Sequence, residues 1–144
     1  MITLEENPAR QDIETLNRAI IEFNRDRTGE DNFKPLILFL RDEQKAIVGG
    51  IIASTSWNWL YIDVLWVRED LRKYGYGHSL LTAAEQEAIR RGCDRVFLYT
   101  FSFQSPSFYL KHGYEVFGEL PGKPGKHSCL FMTKQLQVTS IIGK

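Results

Sequence analysis

The hexapeptide Arg72-Lys73-Tyr74-Gly75-Tyr76-Gly77 sets two cations beside two closely spaced glycines, after an apolar segment ending at Val67 and before an amphipathic one running to Arg91. Glycines at a helix start allow a tight backbone turn, so that N–H groups without intrahelical partners converge on one point. The helix N-terminus adds partial positive charge there, and Arg72 and Lys73 add full charges. Such a site holds a phosphate or pyrophosphate. The P-loop of nucleotidases requires Gly-Lys-Ser/Thr at its end, whereas Gly77 is followed by His78 and Ser79. The dinucleotide fingerprint is met only at Gly75 and Gly77: Leu80 takes the place of its third glycine, seven residues separate Val67 from Gly75, and Asp94 begins the next strand instead of ending it.

The elements that must position this loop follow from periodicity and punctuation. Met1 to Leu4 reads as a short edge strand, and Asn7-Pro8 as an N-cap with proline at the first helical position. Ile13, Leu16, Ile20 and Phe23, spaced by three, four and three, form one helix face, and polar Asn24 to Asn32 reads as a loop. Pro35 to Arg41 and Lys45 to Ser56 are strands about a turn at Asp42 to Gln44. The second holds a continuous apolar run, Ala46 to Ala53, which suits cover on both faces. Trp57-Asn58 turns into a third strand, Trp59 to Val67. Alternation gives that strand an apolar face of Leu60, Ile62, Val64 and Trp66, and a mixed face of Trp59, Tyr61, Asp63, Leu65 and Val67. Asp63 is the one carboxylate on the mixed face, and a buried charge needs a partner or a purpose. Gly75 to Arg91 reads as a helix with Leu80, Leu81, Ala84 and Ala88 inward and Gly92 past its end. A strand, Asp94 to Thr100, follows, then a short helix opened by Ser105-Pro106 and closed by Gly113. Tyr114 to Leu120 and His127 to Val138 are the last strands. Strands with interspersed helices make a mixed α/β sheet, and Trp59 to Thr100 should be a right-handed parallel crossover.

In this strand–loop–helix setting, Arg72-x-x-Gly75-x-Gly77 resembles the Arg/Gln-x-x-Gly-x-Gly/Ala pyrophosphate loop of the Gcn5-related N-acetyltransferases. About 35 residues on, Phe108-Tyr109-Leu110-Lys111-His112-Gly113-Tyr114 resembles that family's second signature, Phe-Tyr followed by a basic stretch and Gly-Phe/Tyr. The resemblance covers most of the chain, and only the first 30 residues and the tail after Val138 match loosely. It implies one domain over residues 1–144, with a mixed, mostly antiparallel sheet of six to seven strands, a splayed parallel pair at its centre and about three flanking helices. It implies acetyl-coenzyme A lying in the splay, its pantetheine arm along Leu65, Trp66 and Val67. Its pyrophosphate would sit on the loop formed by Arg72, Lys73, Tyr74, Gly75, Tyr76, Gly77 and His78, with Ser102 and Tyr109 also in contact. The implied reaction moves acetyl directly to a primary amine of a small molecule or a peptide. Tyr109 matches the family's tyrosine acid, which protonates the departing thiolate. Asp63 lies on a strand where the family often places an acid, and is the candidate base beside a water relayed by Thr100 or Ser102. Trp57, Trp59, Tyr61, Phe103 and His127 are candidates for the acceptor pocket. Ser102 and Ser105 depart from the Asn and Ala that many members carry, so an amide contact is either missing or replaced by a hydroxyl. The other reading is an acyl-coenzyme A-binding sensor of the same fold that does not catalyse.

Composition narrows the alternatives. A 144-residue chain with 43% hydrophobic and 25% charged residues has the size and makeup of one globular domain and excludes disorder. Eighteen basic and eighteen acidic residues cancel, which argues against a nucleic-acid binder. No apolar run reaches the ~20 residues of a membrane span, and Glu5 and Glu6 near the start are unlike a secretory peptide. Cys93 and Cys129 form no Cys-x-x-Cys pair, so a reduced cytoplasmic protein is expected. His78, His112 and His127 lack ligand spacing, so no metal is expected. The apolar tail Val138-Thr139-Ser140-Ile141-Ile142 could extend the last strand or pair with a second subunit, giving a homodimer.

Overall fold

The computed structural model of the chain describes residues 1–137. It comprises two compact units, Met1–Asp31 and Asn32–Lys144, each described here by itself. The tail Val138 to Ile142, with its expected pairing, lies outside the described residues.

The first unit is one helix, α1 (Arg10–Thr28), which carries Ile13, Leu16, Ile20 and Phe23 along one face. Met1 to Leu4 forms no strand, and the helix begins at Arg10 instead of Pro8. Extended Ala9 precedes it, and its carbonyl accepts from the N–H groups of Asp12 and Ile13 at 3.0 and 3.3 Å. The polar stretch expected as a loop from Asn24 is helical to Thr28. Neighbours one turn apart explain this: Arg27 lies 4.3 Å over the Phe23 ring, and the Thr28 hydroxyl donates to the Asn24 carbonyl at 3.0 Å. Gly29, at φ 79°, ends the helix and donates to the Arg25 carbonyl.

The second unit contains β1 (Lys34–Arg41), β2 (Ile47–Ser56), β3 (Trp59–Val67), α2 (Tyr76–Arg90), β4 (Arg95–Phe101), α3 (Pro106–Lys111), β5 (Glu115–Pro121) and β6 (Ser128–Gln135). One six-stranded sheet runs in the order β1-β2-β3-β4-β6-β5. Among the described strands only β3 and β4, at its centre, are parallel, and α2 makes the crossover between them. The mixed α/β sheet with its central parallel pair and three helices is therefore the architecture expected from the sequence. Its core joins Leu81, Ala84 and Ala88 of α2 to Ile51, Ala53, Leu60, Ile62, Val96, Leu98 and Met132 of the sheet. The small alanines let the helix axis approach the strands. Among the described residues no helix is long and apolar enough to cross a membrane.

Two details depart from simple alternation. In β2 the apolar run is not covered on both faces: Val48, Ile51 and Ala53 are buried, whereas Ile47 and Ile52 are half-exposed. In β3 the pairing with β2 slips, since Ala53 faces Ile62 while Ile52 faces Val64, leaving Asp63 as the extra, bulged residue. A one-residue bulge moves every following side chain to the other face. Leu65 and Val67 therefore pack inward, and Val64 and Trp66, expected in the apolar face, stand half-exposed.

Candidate active site

The bulge lies where the central pair opens. β3 and β4 are hydrogen-bonded only from Trp59–Arg95 to Ile62–Leu98. Beyond that point β3 stays with β2 as far as Val67, and β4 stays with β6 as far as Phe101. The inner edges of Asp63 to Val67 and of Tyr99 to Phe101 thus diverge without pairing each other. A cavity of about 670 Å³ occupies this V and extends to the start of α2.

The loop at its far end is fastened by Arg72, whose Nε donates to the Val67 carbonyl at 2.7 Å. Gly75 precedes α2 in the left-handed conformation, φ 82° and ψ 10°, which glycine adopts without a Cβ penalty. A Cβ on it would meet nothing within 4 Å, so the backbone there lies open to the cavity. The Gly75 carbonyl receives the Ser79 N–H at 3.0 Å, so α2 begins at Tyr76, one residue later than expected. The N–H groups of Tyr76, Gly77 and His78 then have no carbonyl one turn back within the helix. A Cβ at Gly77 would stand in ordinary contact with the Phe108 ring of α3, at 3.4 Å.

Of the residues singled out from sequence, Asp63, Leu65, Trp66, Val67, Arg72, Gly75, Gly77, His78, Phe103 and Tyr109 all line this one cavity. The side chains of Lys73, Tyr74, Tyr76 and Ser102 do not. Tyr74 and Tyr76 face each other at 6.4 Å, and Tyr74 is 71% exposed. Ser102 is engaged elsewhere: its Oγ accepts from the Ser128 N–H at 3.0 Å, and its own N–H donates to the Ser128 carbonyl, tying the end of β4 to β6. Trp59 and Tyr61 stand further down the open sheet face around Phe97, with centroid separations of 5.6 and 4.9 Å. His127 packs edge-on to Phe103 at 4.9 Å.

Tyr109 is buried between the rings of Phe108 and Tyr114, at 5.2 and 5.6 Å. Burial pushes its phenol up to about 12, so it keeps its proton at neutral pH, as a proton donor must. Asp63 is exposed at the mouth of the V and receives the Tyr61 hydroxyl in a long contact of 3.5 Å. The Tyr61 phenol is also pushed up, chiefly by burial and then by the negative charge of Asp63 and the proximity of Tyr99. Asp63 and Tyr109 thus line the one cavity where the strands part, and Tyr61 reaches Asp63 from outside it.

Several cavity residues had not been singled out. Tyr99 is reachable from strand alternation through Phe97. Gln104 has no sequence signal: its Oε1 accepts from the Thr100 hydroxyl and the Phe101 N–H, both at 2.9 Å. His112 meets His78 across 34 positions, Nδ1 of His78 to Nε2 of His112 at 2.8 Å, while His112 Nδ1 lies 2.7 Å from the Phe108 carbonyl. A carbonyl only accepts, so His112 Nδ1 carries a proton; with both rings neutral, His78 is the donor in the ring-to-ring contact.

An unpaired strand edge, a cluster of helix-start amides and an arginine form a donor set suited to a long ligand with an amide-bearing arm and a pyrophosphate end. The model of the Acetyltransferase (GNAT) family matches residues 3–114. The chain belongs to the GNAT acetyltransferase family. This GNAT protein is 33% identical to the blasticidin-S acetyltransferase of Streptomyces morookaense over 95 residues, 65% of this chain and 70% of that one. It is 28% identical to an acetyltransferase of Agrobacterium fabrum over 116 residues, 81% and 85% of the two chains. Its fold matches the crystal structure of a Bacillus cereus acetyltransferase with a TM-score of 0.85 and 34% identity, over 93% of this chain and 98% of that one. The GNAT protein is an N-acetyltransferase whose cofactor is acetyl-coenzyme A.

Proposed function

We propose that this N-acetyltransferase moves the acetyl group directly to a primary amine of a small molecule, and that the V between β3 and β4 is its active site. The observation that carries this reading is the loss of β3–β4 pairing after Ile62 and Leu98, beside a loop with open amides, in a cavity that both Asp63 and Tyr109 line. The likeness to a blasticidin-S acetyltransferase supports a small-molecule acceptor over a protein one. The buried free thiols of Cys93 and Cys129 support a reduced, cytoplasmic setting.

Acetyl-coenzyme A supplies an activated acetyl thioester when bound. The backbone of Leu65 to Val67 offers an unpaired edge that would hold the pantetheine arm. The N–H groups from Lys73 to His78, with the guanidinium of Arg72, would hold the pyrophosphate. Asp63 attracts the acceptor ammonium to the mouth of the V, and its proton leaves through Asp63 or through water beside Thr100. Tyr109 holds a proton ready for the thiolate, its hydroxyl kept neutral by burial.

The test follows free thiol release from acetyl-coenzyme A with small amines, amino acids, peptides with free N-termini and lysine peptides. Turnover is expected on small amines. Turnover confined to peptides would refute the small-molecule acceptor. Wild-type rates in both Tyr109→Phe and Asp63→Asn would remove the assigned roles.

A further inference from the structure

A second pocket opens on the same sheet face, away from the V. It holds about 470 Å³ and is lined by Ser56, Trp57, Trp59, Phe97, Phe117 and Thr133. Trp57 and Trp59 are among the aromatics expected at the acceptor pocket, whereas Phe97 and Phe117 have no part in the acetyl transfer proposed for the V. The rings of this second pocket are unusually open for aromatic side chains: Trp57 is 51% exposed and Phe117 61%. Large exposed apolar surface around a concavity marks a binding site more often than a solvated face.

The rings lining the pocket are linked by side-chain contacts to Asp63. Trp59 packs edge-on to Phe97 at 5.6 Å, Phe97 lies 4.9 Å from Tyr61, and Tyr61 reaches the Asp63 carboxylate. One row of rings therefore runs from the pocket to the charge at the mouth of the V. At about 3.3 Å per strand residue, Trp59 lies about 7 Å from Tyr61 and about 13 Å from Asp63. The pocket end also carries a cation of its own. The Arg95 guanidinium, 3.5 Å from the Asp94 carboxylate, sits 4.9 Å over the Trp59 ring, so that ring's cation-binding face is already taken. Charge thus divides the row: an ammonium suits the Asp63 end, and a neutral group suits the Trp59 end.

We propose that this pocket is a distal acceptor subsite, taking a neutral planar apolar group joined by an extended spacer to the primary amine that docks at Asp63. The class so defined is the arylalkyl monoamine; polyamines and short polar amines do not fill the site. This rests on the acceptor reading given above, and the experiment separates the two.

Rates and calorimetric binding are measured for phenylalkylamines with short, medium and long methylene spacers, beside a plain alkylamine and a polyamine. The enzymes are wild type, Ser56→Trp, which fills the pocket, and Phe117→Ala, which removes an exposed wall. The longer-spacer aryl amine is expected to exceed the plain alkylamine in kcat/KM by about tenfold, the discrimination of one apolar pocket. Both variants should erase that advantage while leaving short-amine turnover unchanged. Aryl amines no better than plain alkylamines, or losses in Ser56→Trp equal across all amines, would overturn the subsite even with acetyl transfer intact. Should no amine turn over, the binding series still decides: tighter wild-type binding of the long-spacer amine, lost in both variants, supports the subsite, and equal binding refutes it. A dimer that falls to a monomer on Ser56→Trp, with no effect on any amine, would assign the pocket to a contact between copies and likewise refute it.

Discussion

Replacing Tyr109 by Phe is a narrow perturbation. The ring survives, with its contacts to Phe108 at 5.2 Å and Tyr114 at 5.6 Å, so packing is almost unchanged. The lost hydroxyl makes no hydrogen bond to the described residues and is not sealed from solvent, so stability should shift by no more than about 1 kcal/mol. What disappears is the proton. With its pKa pushed to about 12, the wild-type phenol at pH 9 is ionised in about one molecule per thousand; an ordinary tyrosine near 10 would be ionised in about one per ten. If Tyr109 protonates the departing thiolate, kcat should fall by about 10²–10³-fold in Tyr109→Phe, a barrier increase of about 3–4 kcal/mol. Acetyl-coenzyme A affinity should hardly change. The wild-type rate should show no alkaline decline up to pH 10, because the donor stays protonated throughout. The assay is initial thiol release from pH 6 to 10 at saturating amine, with cofactor binding measured separately. An unchanged kcat in Tyr109→Phe would refute the acid role. A wild-type alkaline limb well below pH 10 that vanishes in Tyr109→Phe would refute the argument from burial.

The same burial links stability to high pH. The folded pKa of Tyr109 lies above the unfolded value, so its contribution is complete below about pH 10 and is lost as pH rises toward 12, at a cost of about 2–3 kcal/mol; urea midpoints should fall less steeply over that range in Tyr109→Phe than in wild type. Glu85 receives the Tyr114 hydroxyl at 2.6 Å and the Lys134 ammonium at 3.0 and 3.2 Å, so Glu85→Ala strands two poorly exposed polar groups and should destabilise by about 2–4 kcal/mol in urea unfolding. Gly75→Val forces a β-branched residue to a φ of 82° and should cost about 1–2 kcal/mol while weakening acetyl-coenzyme A in calorimetry; Gly75→Asn should retain more of both, since no Cβ contact opposes it. Arg72→Ala frees the Val67 carbonyl and removes a cation from the loop, and should raise the cofactor Kd by about tenfold, an effect that shrinks with added salt.

Local rules carried much of the architecture. The spacing of Leu80, Leu81, Ala84 and Ala88 located α2 and its buried face, and Gly75 and Gly77 marked its start. Trp57-Asn58, both left-handed at φ 48° and 64°, made the two-residue hairpin turn that joins β2 to β3. Helix ends were less legible: the polar stretch after Asn24 stayed helical because pairs one turn apart offset its poor apolar pattern.

The site itself divides along the same line. By itself the sequence determined the glycine loop, the tyrosine of the short helix and the order of strands and helices from the first helix onward, because each depends on residues within a few positions of one another. Only the tertiary structure decided that Asp63 is the bulged residue of β3 and that Leu65 and Val67 turn inward. It alone diverted Ser102 into fastening β6, joined His78 to His112, and ran a row of rings from Asp63 to a separate pocket. Those outcomes depend on register between segments dozens of residues apart, and a one-residue slip reverses which face a side chain occupies. No local pattern encodes that slip, because it arises only when two strands pair.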